Sequence, residues 1–372
     1  MSANPPDEFM PLTIATLHRE TSDAVTISFA IPEALRAAFA FKPGQHLNLR
    51  AILDGQEVRR SYSICSGPSE RHLRIAIKRV TGGWFSVWAN EALSPGLAID
   101  VMPPQGRFTL APTDGSSRHV LGLAAGAGIT PIISMAAHAL ALEPATRFTL
   151  VYGNRTLDDI MFRAELEDLK DRYVERFTLV HVLSRERSED GALFEGRITA
   201  DVLSRLAGRI VSFGDIAHAY LCGPGSMIKE LRTALFSLGM ARDRVHHEFF
   251  AAGGGAYRAG AATPTVATPM PAEATTVPNR SVPIEAIIDG TRHRFAAAPD
   301  ESVADAALRA GVRVPWSCRA GMCCTCRAKI VEGSAVMRHN YSLEAWETAQ
   351  NYTLTCQAVP TSDHLVVDYD QM

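Results

Sequence analysis

Five of the seven cysteines lie beyond residue 317: Cys318, Cys323, Cys324, Cys326 and Cys356. The run Cys318-Arg-Ala-Gly-Met-Cys323-Cys-Thr-Cys326 spaces three thiols as C-x4-C-x2-C, and Cys356 follows in TLTCQAVP. That is the spacing of a [2Fe–2S] site, in which four thiolates surround two irons. A tight loop supplies three ligands and a distant segment closes the cage. Gly321 suits a loop whose amides must come close to inorganic sulfide. Zinc sites more often use paired C-x2–4-C hooks, which makes zinc the weaker reading. Cys324 does not fit the ligand spacing and reads as a bystander. Cys65 and Cys222 stand alone.

Two further groups of residues could bind a redox cofactor. Arg60-Ser61-Tyr62-Ser63 ends an apparent strand. A flavin needs a cation for its phosphates, an aromatic face for its ring and a polar group near N5, and this segment offers all three. On its own it could equally be an amphipathic strand. Gly82-Gly83-Trp84-Phe85-Ser86 and Pro104-Gln105-Gly106-Arg107-Phe108 follow it, and Pro43-Gly44-Gln45 precedes it. In the second group, the glycines of Gly122-Leu-Ala-Ala-Gly126-Ala-Gly128-Ile-Thr130-Pro131 sit between a strand and a helix, where backbone amides can meet a pyrophosphate. Cys222-Gly223-Pro224 ends a later strand. Arg155 and the Ser184-Arg185 pair end two others, with no acidic residue at either strand end for ribose hydroxyls. Arginine there favours NADPH over NADH, although exposed loop arginines are the bland alternative.

These residues need three kinds of scaffold. Residues 10–112 hold short alternating runs split by turns, which predicts an antiparallel β-barrel. Residues 118–250 alternate apolar strands with helical stretches over 129–142, 161–173 and 225–240, which predicts an α/β domain with a parallel sheet. Residues 251–280 contain four Gly and four Pro but no Leu, Ile, Phe or Trp, and read as a flexible linker. The expected division is 1–112, 113–250, linker 251–280, and 281–372. In the last segment a helix over 302–311 would bury Val303, Ala306, Ala307 and Ala310.

VPWSCRAGMCCTCRAKIVEG and YTLTCQAVP resemble plant-type ferredoxins, which implies a β-grasp fold with Cys318, Cys323, Cys326 and Cys356 as iron ligands. The R-S-Y-S, G-G-W-F-S and G-A-G-I-T-P segments, in that order, resemble the ferredoxin–NADP reductase family. That resemblance implies FAD, with FMN the less common alternative. Arg60 would grip the diphosphate, Tyr62 would stack on the ring and Ser63 would lie near N5. Gly83, Phe85 and Ser86 would hold phosphate, beside Gly82. Gly126, Gly128 and Thr130, with Cys222, Gly223 and Pro224, would receive the nicotinamide half. Ser63 and Cys222 would be the catalytic pair, and Phe249 or Phe250 would shield the flavin. The domain order, with RRSYSIC, FTLVYGNRT and NYSLE, is similar to one branch of oxygenase reductases, whose electron acceptor is a di-iron oxygenase.

Composition removes other classes. The net charge is −3 and charged residues make up 21%, with no basic run to recruit nucleic acid. Residues 282–372 carry eight Lys or Arg against eleven Asp or Glu, so the charge excess lies there. No secretory leader or membrane span is expected, which predicts a cytoplasmic protein, and cysteines in that setting point to metal or redox chemistry and away from disulfides. The chain lacks the E-x-x-H pairs of di-iron sites, so it is expected to feed an oxygenase and not to oxidise the organic substrate. A reductase for another oxygenase, or a redox sensor without turnover, would share these motifs. The linker would let the ferredoxin domain swing between flavin and partner.

Overall fold

The computed structural model describes residues 9–68, 70, 72–187, 194–250 and 281–371, so the expected linker over 251–280 lies outside the described residues. The contacts divide the chain into two units, the first carrying two sheets and the second one.

The first sheet holds β1 (Met10–Thr21), β2 (Ala24–Ala30), β3 (His46–Leu53), β4 (Gln56–Ser63), β5 (Leu73–Lys78) and β6 (Ala98–Val101). Their order is β4-β3-β6-β1-β2-β5 with antiparallel pairing throughout. A bridge from Ile64 to Ile75 brings the two edges together, so the sheet is barrel-like. In β1 buried and exposed residues alternate at Met10–Ile14, as a half-buried strand requires. Helix α1 (Trp84–Ala92) follows β5 and is not among the expected elements.

The second sheet holds β7 (Arg118–Ala125), β8 (Thr146–Asn154), β9 (Phe177–Leu183), β10 (Ile216–Gly223) and β11 (Val245–Phe249) in the order β11-β10-β7-β8-β9, all parallel. Helices α2 (Ile129–Leu142) and α3 (Arg163–Arg172) cover one face; α4 (Ala200–Leu206) and α5 (Gly225–Ser237) cover the other. Helices on both faces explain why β7 and β8 are buried almost without a break and do not alternate. Each fully buried Leu or Ile there contributes about 1.5–3 kcal/mol. One apolar cluster joins the barrel's Cys65, Phe108 and Leu110 to Val120, Ile133, Met135 and Cys222, so the first two sheets share a core.

The second unit contains β12 (Val282–Ile288), β13 (Thr291–Ala297), α6 (Val303–Arg309), β14 (Arg327–Met337), α7 (Ala345–Ala349), β15 (Tyr352–Leu354) and β16 (Ala358–Asp368). The sheet order is β13-β12-β16-β14-β15, and only β12 and β16 run parallel. Helix α6 packs on this mixed sheet through Val303, Ala304, Ala306 and Ala307. Ala310, expected on that face, is exposed, because the helix stops at Arg309 and Gly311 turns the chain at φ +76. No helix among the described residues is long and apolar enough to cross a membrane.

Candidate functional site

Strand pairing sets the direction of each side chain in the Arg60–Ser63 segment. Asn48, Leu47 and His46 of β3 lie opposite Ser61, Tyr62 and Ser63 of β4. Ser61 Oγ donates to Asn48 Oδ1 at 2.6 Å, and buried Asn48 donates to Gln105 Oε1 at 2.9 Å. The Pro104–Phe108 loop is thereby tied to the strand. Arg60 Nη1 donates to the Arg59 carbonyl at 2.7 Å. The half-buried Tyr62 ring lies 5.8 Å from Phe85, with the planes inclined by 36°. Burial raises the Tyr62 hydroxyl's pKa, opposed by Arg60, so it stays neutral.

Gly83 is the N-cap of α1, and no side chain caps that first turn. The Gly83 amide donates to the Val80 carbonyl at 2.9 Å, and the uncapped amides that follow it are of the kind a phosphate can meet. The Ser86 hydroxyl accepts from Val80 N–H at 3.1 Å and donates to the Gly83 carbonyl at 3.3 Å. The amides, with Gly82 exposed beside them, are thus better placed for phosphate than the hydroxyl.

In the nicotinamide half, Gly126–Gly128 form a tight turn between β7 and α2. A Cβ on Gly128 would lie 2.2 Å from the Cys222 carbonyl oxygen, so only glycine permits this approach. Thr130 is buried, and its hydroxyl donates to the Ala127 carbonyl at 3.0 Å. Cys222 is fully buried at the end of β10, where burial and then Glu248 push its thiol pKa up. Pro224 caps α5, and Phe250 N–H donates to the Gly223 carbonyl at 2.9 Å.

The two halves meet at Glu248. In β11 it is the register partner of Cys222, and its Oε2 accepts from Ser63 Oγ at 3.3 Å. The structure thus gathers Ser63 and Cys222 around one carboxylate that the sequence alone does not mark. Its only signal is the terminal Glu248-Phe249-Phe250, where the aromatics draw attention. Those two rings separate. Phe250 packs on the cluster that contains Cys222, whereas Phe249 packs toward α5 and His247. Phe250 is therefore the aromatic on the seam side.

The strand-end arginines also differ. Arg155 pairs with Asp159 and, at 3.3 Å, with Asp23 of the barrel turn. It is a strut between the first two sheets. Ser184 and Arg185 are exposed, and Arg185 makes no ion pair among the described residues.

In the second unit, the Ala320 amide donates to Cys318 Sγ at 3.4 Å and Cys323 Sγ donates to Thr325 Oγ1 at 3.2 Å, while Cys326 and Cys356 are buried. Among the described residues no three ligand-type side chains close on a single ion. The four thiols lie close enough to perturb one another, and four thiolates in one place are what two irons require. The neighbouring thiol, Cys323 for Cys318 and Cys356 for Cys326, and then burial hold these two pKa values well above the ordinary thiol range. Thiolates packed this closely need a compensating cation, which bound iron supplies. Arg319, Gly321 and Cys324 take positive φ of 51°, 73° and 56°, so the loop backbone turns sharply between the cysteines. Gly321 is confined as well: a Cβ would lie 2.7 Å from the His339 carbonyl oxygen. Cys324 packs against the domain core.

Comparison with known proteins fits this geometry. The oxidoreductase FAD-binding domain matches residues 11–110, the oxidoreductase NAD-binding domain 123–233 and the 2Fe-2S iron-sulfur cluster binding domain 286–361. A component of the 1,2-phenylacetyl-CoA epoxidase of Escherichia coli (strain K12) is 40% identical over 97% of this chain and 98% of that protein. The ferredoxin reductase component of 3-ketosteroid-9-alpha-monooxygenase from Rhodococcus rhodochrous is 34% identical over 96% of each chain. The solved structure of phthalate dioxygenase reductase, described as modular for electron transfer from pyridine nucleotides to [2Fe-2S], superposes with a TM-score of 0.58. It is 25% identical and covers 97% of this chain and 98% of that one.

Proposed function

We propose a specific role for a chain that belongs to the FAD- and [2Fe–2S]-containing reductase components of oxygenases: it supplies a di-iron oxygenase that acts on phenylacetyl-CoA. The observation that carries the electron-transfer reading is the meeting of Ser63, Cys222 and Glu248 at the seam of the flavin barrel and the nicotinamide sheet. The phenylacetyl-CoA assignment draws on the 40% identity to the epoxidase component. When bound, FAD accepts a hydride from a nicotinamide and releases electrons singly, and a [2Fe–2S] cluster carries one electron at a time.

The chain's residues position and shield these groups. Arg60 and the opening amides of α1, from Gly82 through Ser86, would hold the flavin phosphates. Tyr62 would lie on the ring, with Ser63 near N5 and Phe250 on the seam side. Gly126, Gly128, Thr130, Cys222, Gly223 and Pro224 would receive the nicotinamide half. Ser184 and Arg185 would take the 2′-phosphate, which makes NADPH the expected donor. Arg155, already paired with two carboxylates, would steady the seam. Cys318, Cys323, Cys326 and Cys356 would hold the cluster. Domain boundaries at 112, 250 and 280 and a cytoplasmic location complete this reading.

The test is reconstitution. With the purified di-iron epoxidase, NADPH and phenylacetyl-CoA, the protein should support product formation. With a 3-ketosteroid oxygenase it should not. The reverse pattern would support the second reading, favoured by the 34% identity to the ketosteroid component.

A further inference from the structure

We propose that Glu347 keeps the reduction potential of the iron–sulfur cluster low: it is the positioning residue that cancels the Arg327 charge, which would otherwise favour the reduced cluster. The inference rests on the cluster assignment above and concerns residues that assignment leaves without a role. Arg327 directly follows Cys326, opens β14 and lies in register with Leu354, two residues before Cys356. Its Nε donates to Glu347 Oε1 at 3.0 Å, and its guanidinium carbon sits 3.6 Å from the centre of the Tyr352 ring. The two side chains are only 11% and 1% exposed.

Glu347 is not free to move away. Its Oε2 accepts from the Glu344 amide at 3.0 Å in the capping box of α7, so the helix itself aims the carboxylate inward. Carboxylates are almost never this buried unless paired. A five-residue helix with Trp346 turned outward, 54% exposed, has little apolar burial of its own. The second arginine beside a ligand gives a contrast. Arg319 follows Cys318 and faces Asp305 at 3.6 Å, but that pair is 25% and 32% exposed, and water screens it. The Arg327 pair sits where screening is weak.

Reduction adds one negative charge to the cluster. A neutral Arg327–Glu347 pair has little preference between the two redox states, whereas an uncompensated Arg327 cation favours the reduced one. Two unit charges about 10 Å apart at an effective dielectric near 20 shift such an equilibrium roughly tenfold.

The experiment is an EPR-monitored redox titration of the full-length, cluster-loaded protein. Glu347→Gln should raise the reduced-to-oxidised ratio at a fixed potential about tenfold, which is about 59 mV for one electron. The shift should persist at high salt, because the charge is buried. Glu347→Asp, which keeps the charge, and the doubly neutral Glu347→Gln/Arg327→Gln should both stay within about threefold of wild type. A loaded Glu347→Gln protein with an unmoved potential would overturn the inference. So would a double variant shifted as far as the single one. If Glu347→Gln loads poorly, a potential for the doubly neutral variant shifted by tenfold or more would do the same. A wild-type protein without an iron–sulfur EPR signal would instead overturn the cluster assignment itself.

Discussion

The flavin–nicotinamide seam and the cluster loop are built in opposite ways. At the seam, Ser63 and Glu248 stand 185 residues apart and meet only because a barrel strand and the edge strand of a second sheet share a core. In the loop, three of the four cysteines proposed as ligands lie within nine residues and the fourth is one strand away. A site made of sequence neighbours depends on local backbone geometry. A site made across two sheets depends on the whole unit keeping its shape, which the Arg74–Glu165 and Arg155–Asp23 ion pairs help to hold. The two should therefore fail differently.

The largest effect is expected at the loop. Cys326→Ser should abolish the cluster and lower oxygenase-coupled turnover by at least about 100-fold, the upper range for disturbing even outer-shell partners of a metal. NADPH oxidation with ferricyanide should stay near wild type. Parallel assays check this, and an equal fall in both would break the separation of the two regions. At the seam, Ser63→Ala should slow flavin reduction by NADPH about 10- to 100-fold, as small losses of alignment do, and leave the cluster spectrum unchanged. Stopped-flow absorbance measures it. Arg185→Ala should raise KM for NADPH roughly tenfold, the loss of one charge-assisted hydrogen bond, with KM for NADH unchanged. If Arg155→Ala raises it instead, the strut assignment is wrong.

The smallest effect concerns pH. Burial first of all lowers His181, His246 and His247 from 6.5 to about 4, and all three belong to the first unit. Because the folded-state values are depressed, these residues stabilise the fold above the unfolded value of 6.5. That contribution is lost as pH falls from about 6.5 toward 4. The thermal transition of the flavin–nicotinamide unit should move down over that window. His246→Asn should flatten the slope, and an unchanged slope would remove the histidines from the explanation.

Much of this is legible in the sequence, and the rest is not for definable reasons. Helix α2 is readable at its observed limits because a 14-residue apolar stretch after a glycine turn has few alternatives. Helices α4 and α7, seven and five residues long, escape sequence reading; they rest on caps from Thr199 and Glu344, and their periodic patterns are too short. Helix α1 is hidden because Gly83-Trp-Phe-Ser reads first as a phosphate loop. The four cysteines declare themselves by spacing. Glu248 does not, since strand order, not sequence, brings it to Ser63. The ion pair of Arg155 with Asp23 across the seam is not legible either, since the two lie 132 residues apart.

The most direct test of the electron route is anaerobic mixing with NADPH, followed by visible absorbance. The flavin band should bleach first and the broad iron–sulfur absorbance after it, with Ser63→Ala delaying both and Cys326→Ser abolishing only the second. Flavin bleaching with no later loss of iron–sulfur absorbance, or a protein that holds zinc in place of iron, would contradict it.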